Sequence, residues 1–526
     1  MAIISLLPEL ILSIGALIIL MIDVFFGKKF EDNSRVVLVG AFSIALSALF
    51  AVIYNYGDNY SVFGNAFAIN KFTSYSKIAI LILLISVVIL STNFSLTNKR
   101  ISAEFIALIF IATTGSMLLI SSNDLLPFYL SLELQSLSLY ILACIKRDSG
   151  KSSEAGIKYF ILGSVSSGIL LLGISFVYGF TGTTNFETLF SLIEQYYRTN
   201  AHHAFDNSLR SLHHGLHHHY THHVMHSHMY GLAHVVSSIA PPIGLLLGLT
   251  LVFIAILFKV AAAPFHMWAP DVYEGAPTNI TAFFASTIKF AMILVAVKVY
   301  IYSFHAWVGF NQILILVAVL SLLVGCLGAL KQNNLKRMLA YSGIGHVGFI
   351  IAGLSSTNFE SLKAVILYAS IYGTLSVGSF ALLILMINKN DKLSEDDSND
   401  EKYQLSSLAG IGKSNPVIAA FLAILMLSMA GIPPMAGFFA KFYILLSIIK
   451  AGYVPLAVLA VMTSIISAFY YLRIIKIMYF DEKSNKDIAI ESDVSPVLVL
   501  FAAAMFNLLF LAFINPFLDL ISKIFF

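Results

Sequence analysis

Charge is what this sequence most lacks. Of its 526 residues only 11% are Asp, Glu, Lys or Arg, while 58% are hydrophobic. A soluble domain carries about 25% charged residues, so no soluble architecture fits. Cysteine is nearly absent as well: Cys144 and Cys326 both lie inside apolar runs, too few for a disulfide framework or a cysteine-ligated cluster. No glycine-rich nucleotide loop follows a strand-like run, which argues against a dinucleotide bound by this chain. A cleavable leader is not expected either, because Glu9 is acidic and the first apolar run ends in Lys28-Lys29 with no small-residue cleavage site before it. The net charge of +3 is too small to speak for nucleic acid.

What the sequence has is apolar length. A membrane-crossing helix needs about 20 apolar residues. Stretches of that kind fall near 4–25, 36–55, 74–92, 104–121, 125–145, 159–180, 240–263, 280–302, 312–330, 339–355, 362–387, 417–449, 455–478 and 497–518. They predict an all-α polytopic membrane protein of about fourteen spans, all helical because lipid offers no partner for unpaired backbone. The loops after odd-numbered spans hold most of the basic residues, among them Lys28, Lys29, Arg35, Lys146, Arg147, Lys331, Lys336 and Arg337. The opposite side holds Lys71, Lys77, Arg198, Arg210, Lys363, Lys450 and Lys523. By the positive-inside rule both termini then face the outer side.

An ionisable residue at the centre of a span costs about 2.5–3.5 kcal/mol on insertion scales and is a functional candidate by default. Glu133 is central in span 5, where Tyr129, Glu133, Ser136 and Tyr140 form one polar stripe at helical spacing. Lys289 is central in span 8, with Ala282, Ala285 and Ser286 on its face for close helix approach. Lys298 stands nearer the end of that span and reads as a snorkelling side chain. Lys259 precedes Pro264, and Lys441 follows Pro433-Pro434. Proline removes a backbone donor and clashes with the preceding turn, so spans 7 and 12 should be broken in mid-membrane.

Breaks at matching positions of two halves point to an inverted-repeat transporter. Spans 4–8 and 9–13 would be the two inverted five-helix copies, which divides the chain into 1–103, 104–302, 312–478 and 497–526. His346 is central in span 10, where a hydrogen-bonded buried histidine and a proton relay fit equally well. Burial lowers a lysine pKa and raises that of a glutamate, while a nearby opposite charge works against both shifts. Glu133, Lys259, Lys289, His346 and Lys441 therefore read as a proton path along the membrane midplane.

At this point a family resemblance carries specific content. The runs Asn123-Asp124-Leu125-Leu126, Leu132-Glu133-Leu134, Pro264 to Thr278, Asn334 to Ser342 and Gly431 to Lys441 resemble subunit N of bacterial NADH-quinone oxidoreductase, respiratory complex I. The resemblance covers nearly the whole chain except about 200–238. It implies an antiporter-like, proton-translocating subunit of the membrane arm in the bacterial inner membrane. Other membrane-arm subunits would be its partners, and NADH, FMN, iron-sulfur clusters and quinone would belong to partner subunits, with no cofactor in this chain. It also implies that Glu133 pairs with Lys259 and tunes its proton affinity, that Lys289 is the central carrier, and that Lys441 leads outward. Glu154 and Lys158 match family positions too, although an i,i+4 surface helix pair is the simpler reading.

Three features depart from the family pattern. Asn279 stands where proline is usual, and Gly343 and Gly345 stand in a Ser/Ala-rich stretch; these are expected to soften helix ends without touching a proposed carrier. The loop between spans 6 and 7 holds most of the chain's 15 histidines. His213/His217 and His218/His222 would suit zinc, nickel or copper if helical. An insertion that binds metal incidentally is the simpler reading, and a proton buffer at the outer surface is another. The alternative for the whole chain is a subunit of a multisubunit sodium/proton antiporter, and a structural subunit that moves no protons is the third reading. The Pro-Phe-His and Pro-Asp-Val-Tyr wording of 264–273 favours the first.

Overall fold

The computed structural model describes residues 6–26, 33–91, 103–146, 149–196, 242–303, 308–356, 358–388, 403–482, 488–490 and 494–524. The histidine-rich stretch with His213, His217, His218 and His222 lies outside these described residues.

The chain opens with helices α1 (Leu7–Phe26) and α2 (Asn33–Tyr54), then a short antiparallel hairpin of β1 (Tyr60–Val62) and β2 (Phe67–Ile69). Four helices follow: α3 (Lys71–Leu90), α4 (Ala103–Ser121), α5 (Leu125–Ala143) and α6 (Gly150–Thr181). Polar caps start these helices where the apolar runs begin. Asn70 makes a reciprocal capping box with Thr73, and Asp124 accepts from the Leu126 amide. Span 6 begins earlier than its apolar run, since Ser149 caps a polar first stretch that includes Lys151, Glu154 and Lys158.

Both predicted breaks are present. α7 (Ile243–Lys259) stops before Pro264, and α8 (Trp268–Gly275) resumes after it. In the second half α15 (Pro416–Ala430) stops before Pro433-Pro434 and α16 (Ala436–Lys450) resumes. The two first halves end in the same way. Ala261 and Gly431 adopt left-handed φ values of 61° and 84°. The next amides, Ala262 and Ile432, reach back five residues to Leu257 and Leu427 at 2.9 and 3.1 Å, the closure of a Schellman motif. Glycine takes that conformation without strain; alanine pays for its Cβ.

Between the breaks run α9 (Thr278–Phe283), a π-helical turn (Phe284–Ile288) and α10 (Lys289–Ser303), which together make span 8. This span is wholly enclosed by protein. The π turn adds a residue within a helical turn, so the face assigned to Lys289 from regular α spacing is displaced. Next come α11 (Val308–Leu330), α12 (Leu335–Leu354), α13 (Phe359–Leu385), β3 (Met386–Asn388) and α14 (Ile411–Ser414). The chain closes with α17 (Val454–Phe480), β4 (Ile488–Ile490), which pairs with β3, and α18 (Val494–Ile524).

Among the described residues twelve helical stretches are long and apolar enough to cross a membrane, and α7 and α15 are shorter apolar helices. The helical membrane architecture expected from the sequence is therefore present, with two short two-stranded sheets that the sequence reading did not foresee. The outer flanks of α1, α2 and α6 expose large apolar side chains such as Leu17, Val39 and Ile161, which suits a lipid or protein neighbour rather than water.

Candidate functional site

Lys259 ends α7 and reaches into the polar stripe of α5. Its ammonium donates to Ser136 Oγ at 2.7 Å and to Tyr140 OH at 3.2 Å, and it is 5% exposed. Room for the Tyr140 hydroxyl comes from Gly163 of α6, where a Cβ would stand only 2.0 Å from that oxygen. Glu133 lies on the same stripe, half-buried, with Oε1 buried and without a hydrogen-bond partner. The expected Glu133–Lys259 ion pair is not formed. Hydroxyls further along the stripe take the ammonium instead, and Glu133 acts on it only as a nearby charge.

Lys289 follows directly on the π turn, a distortion frequent at functional sites. It is 2% exposed, and its ammonium has no hydrogen-bond partner in the protein. The rings of Tyr273 and Tyr372 lie 5.3 and 5.8 Å from it, within cation–π range. Across α12, Gly343 comes so close that a Cβ there would stand 3.0 Å from Lys289 Nζ. The expectation that Gly343 touches no carrier is thus overturned. Gly345 likewise softens no helix end: it sits mid-helix against Gly325, where α11 and α12 cross closely. Asn279 occupies the first turn of α9 after Pro277, where proline and asparagine are both compatible with a helix start.

His346 is held from both sides. Nδ1 lies 2.8 Å from Tyr368 OH and Nε2 lies 3.1 Å from Tyr471 OH, and Tyr471 is hydrogen-bonded in turn to Ser342. A hydroxyl can donate or accept, so either histidine tautomer is served. The ring is also 5.1 Å from that of Tyr372. A small cavity of about 10 Å³ brings His346, Ser342, Tyr471 and Lys441 to one space, roughly the room that one water needs.

Lys441 is satisfied more fully than the other two lysines. Its ammonium donates to the carbonyls of Met429 and Ala430 at 3.0 and 2.9 Å and to Ser464 Oγ at 2.9 Å. Those carbonyls end α15, whose dipole favours a cation there. The second half of the break is tied down by Gly437, whose amide donates to Ser428 Oγ at 2.9 Å; Ser428 donates in turn to Asn507 of α18 at 2.9 Å.

Sequence reasoning missed several charged groups. Lys298 does not snorkel: it is buried and donates to the carbonyls of Ile120 and Ser122 at 2.7 and 2.6 Å, at the end of α4. Lys77 is no loop residue; it lies in α3 and forms a buried ion pair with Glu9 at 2.6 Å. Glu154 and Lys158 do pair, at 2.7 Å, but Lys158 also binds Asp271 at 2.8 Å. Arg337 holds Asp271 and Glu274 at 2.8 and 2.9 Å, so the network ties α6, α8 and α12 together. No grouping of three or more His, Cys, Asp and Glu side chains with metal-site geometry occurs among the described residues.

Comparisons with known proteins agree with this architecture. Residues 122–216 and 218–467 match the family described as NADH:quinone oxidoreductase/Mrp antiporter, transmembrane. The NADH-quinone oxidoreductase subunit N of Rhodospirillum rubrum is 37% identical over 508 residues, 96% of this chain and 93% of that protein. Among solved structures, a chain of respiratory complex I from Thermus thermophilus is similar with a TM-score of 0.74 at 24% identity, covering 97% of this chain and 98% of that one. A chain of the Mrp complex from Dietzia sp. shares the fold with a TM-score of 0.78 at 18% identity, covering 100% of this chain and 97% of that one. Sequence identity over nearly the full length and the shared fold lead to one conclusion: the chain belongs to the subunit N family of NADH-quinone oxidoreductases, the antiporter-like membrane subunits of complex I.

Proposed function

We propose that this subunit carries protons across the bacterial inner membrane as part of the complex I membrane arm, through Glu133, Lys259, Lys289, His346 and Lys441. The observation that carries this reading is the state of Lys289, a buried ammonium in a wholly enclosed span with no hydrogen-bond acceptor in the protein. A structural lysine is paired or capped, because an unpaired buried charge is costly. Lys289 is neither paired nor capped, which fits a carrier better than a strut. Lys259 and Lys441 by contrast donate to hydroxyl and carbonyl oxygens, and the tyrosine-bound His346 shares a cavity with Lys441. Lys259 meets the stripe of α5, and His346 and Lys441 meet beside the break in span 12, which supports a relay between them.

On this reading the two interrupted pairs, α7–α8 and α15–α16, each complete one crossing. The crossings then number fourteen, and 104–302 and 312–478 are inverted repeats. The matching left-handed turns at Ala261 and Gly431 support that symmetry. Both termini face the outer side, and Glu154 with Lys158 braces the fold rather than carrying protons. NADH, FMN, iron-sulfur clusters and quinone are held by partner subunits. A sodium/proton antiporter subunit is the weaker reading, because the Mrp likeness at 18% identity is one of fold alone.

The test is Lys289→Ala in the assembled complex, with proton uptake by membrane vesicles measured alongside NADH oxidation. The relay reading expects the variant to lose proton translocation at normal complex content. Wild-type proton stoichiometry would instead assign this subunit a purely structural place in the arm.

A further inference from the structure

Lys336, in the first turn of α12, is a buried lysine with no part in the relay. Its ammonium donates to the Ala276 carbonyl at 2.9 Å and lies 4.4 Å from the centre of the Tyr403 ring, well within cation–π range. The Tyr403 hydroxyl is hydrogen-bonded to Thr278 Oγ at 2.7 Å. Ala276 is the C-cap of α8 and Thr278 the first residue of α9, with only Pro277 between them. One ammonium–ring pair therefore grips both sides of a proline turn. A cation suits the first grip, because the last carbonyls of a helix lack intrahelical donors and carry the negative end of its dipole. The turn has little slack on its other contacts. Gly275 lies so close to the start of α6 that a Cβ would stand 2.6 Å from the Lys151 carbonyl oxygen. Arg337, next to Lys336, holds Asp271 and Glu274 of α8.

The gripped turn lies in the stretch of chain that joins two of the relay lysines. After Lys259 come α8, the Pro277 turn, α9 and the π turn, and then Lys289. We propose that Lys336 and Tyr403 are positioning residues for proton transfer, a clasp that fixes Lys259 and Lys289 relative to each other by holding the Pro277 turn. This inference rests on the relay reading. Its physical basis is the steep dependence of transfer on geometry, where a misplacement of about 1 Å can cost about 100-fold in rate. Neither residue of the clasp touches a relay side chain; each acts through the backbone between them.

The experiment compares Lys336→Met, Tyr403→Leu and the double variant in the assembled complex, with Lys289→Ala beside them. Protons translocated per NADH oxidised are read together with complex content. Each single variant is expected to show about half or more of the loss seen in Lys289→Ala, at unchanged complex content. The double variant is expected to be no worse than Lys336→Met alone, because a clasp that works as one unit is broken only once. Losses that multiply in the double variant would mean two independent braces, which overturns the clasp. Wild-type protons per NADH in both single variants, beside an inactive Lys289→Ala, would overturn it while leaving the relay standing. Normal translocation in Lys289→Ala would remove the relay and the task of the clasp together. Where Lys336→Met or Tyr403→Leu fails to assemble, Tyr403→Phe decides, since it deletes one oxygen and keeps the ring beside the ammonium. Fewer protons per NADH in that variant support the clasp, and the wild-type ratio refutes it.

Discussion

Replacing Lys289 and Lys441 each by methionine should separate two kinds of buried lysine. Methionine keeps the length and apolar stem while deleting the charge. Removing a charge from mid-membrane relieves about 2.5–3.5 kcal/mol on insertion scales, and that relief is common to both variants. At position 289 little opposes it, since the ammonium has no hydrogen-bond partner and loses only its contacts with two rings, so Lys289→Met should be as stable as wild type or more so. At position 441 the substitution strips the Met429 and Ala430 carbonyls of their donor. Each buried orphan costs about 1–3 kcal/mol, and the lost charge at a helix C-terminus adds about 0.3–1 kcal/mol. Lys441→Met should therefore lie about 2–7 kcal/mol below Lys289→Met. Unfolding of a multisubunit assembly is not two-state, so the order of the midpoints is what should be read. The assay is graded heating of the detergent-purified complex, with retention of this subunit followed on native gels. If Lys289→Met falls apart at the same temperature as Lys441→Met, or below it, the reasoning about unpaired and capped lysines fails.

Other outcomes follow from the same geometry. Lys298→Met should weaken thermal retention of the subunit, because the Ile120 and Ser122 carbonyls lose their donor, while proton translocation per NADH in the surviving complex stays normal. Gly163→Ala pushes a methyl onto the Tyr140 hydroxyl and should cut proton translocation by displacing an acceptor of Lys259; vesicle acidification assays would show it. Asp271→Asn should lower the midpoint of the same heating assay, since it loosens both Lys158 and Arg337, whereas Glu154→Gln touches one exposed pair and should not. Deleting 202–234 should leave NADH oxidation and its response to added zinc unchanged in membranes.

Much of the fold was legible because lipid imposes simple rules. Apolar length marked the helices, and Pro264 and Pro433-Pro434 beside buried lysines marked the two breaks. The stripe of Tyr129, Glu133, Ser136 and Tyr140 was visible from spacing alone, and Ser136 and Tyr140 are the residues that Lys259 meets. The choice between those hydroxyls and Glu133 was not visible, since it depends on how far α7 descends beside α5. The role of Lys298 was hidden for a similar reason: its carbonyl acceptors lie 176 and 178 residues away in the chain. Nor does any periodicity announce a π turn, and no sequence pattern shows which glycine will face Lys289. Three-dimensional packing decides all of these.

The break in span 12 has a guy-rope in the closing helix. Asn507 accepts from Ser428, which accepts from the Gly437 amide, while its amide group donates to the Ala503 carbonyl of its own helix. A lesion at Asn507 would sit in the closing helix, distant in sequence from Glu133, Lys259, Lys289, His346 and Lys441, and a map of functional positions would file it as scaffolding. Its effect would nevertheless be felt at the turn that aims Lys441. Genetic variants in that last helix should accordingly be scored for coupling efficiency as well as for assembly.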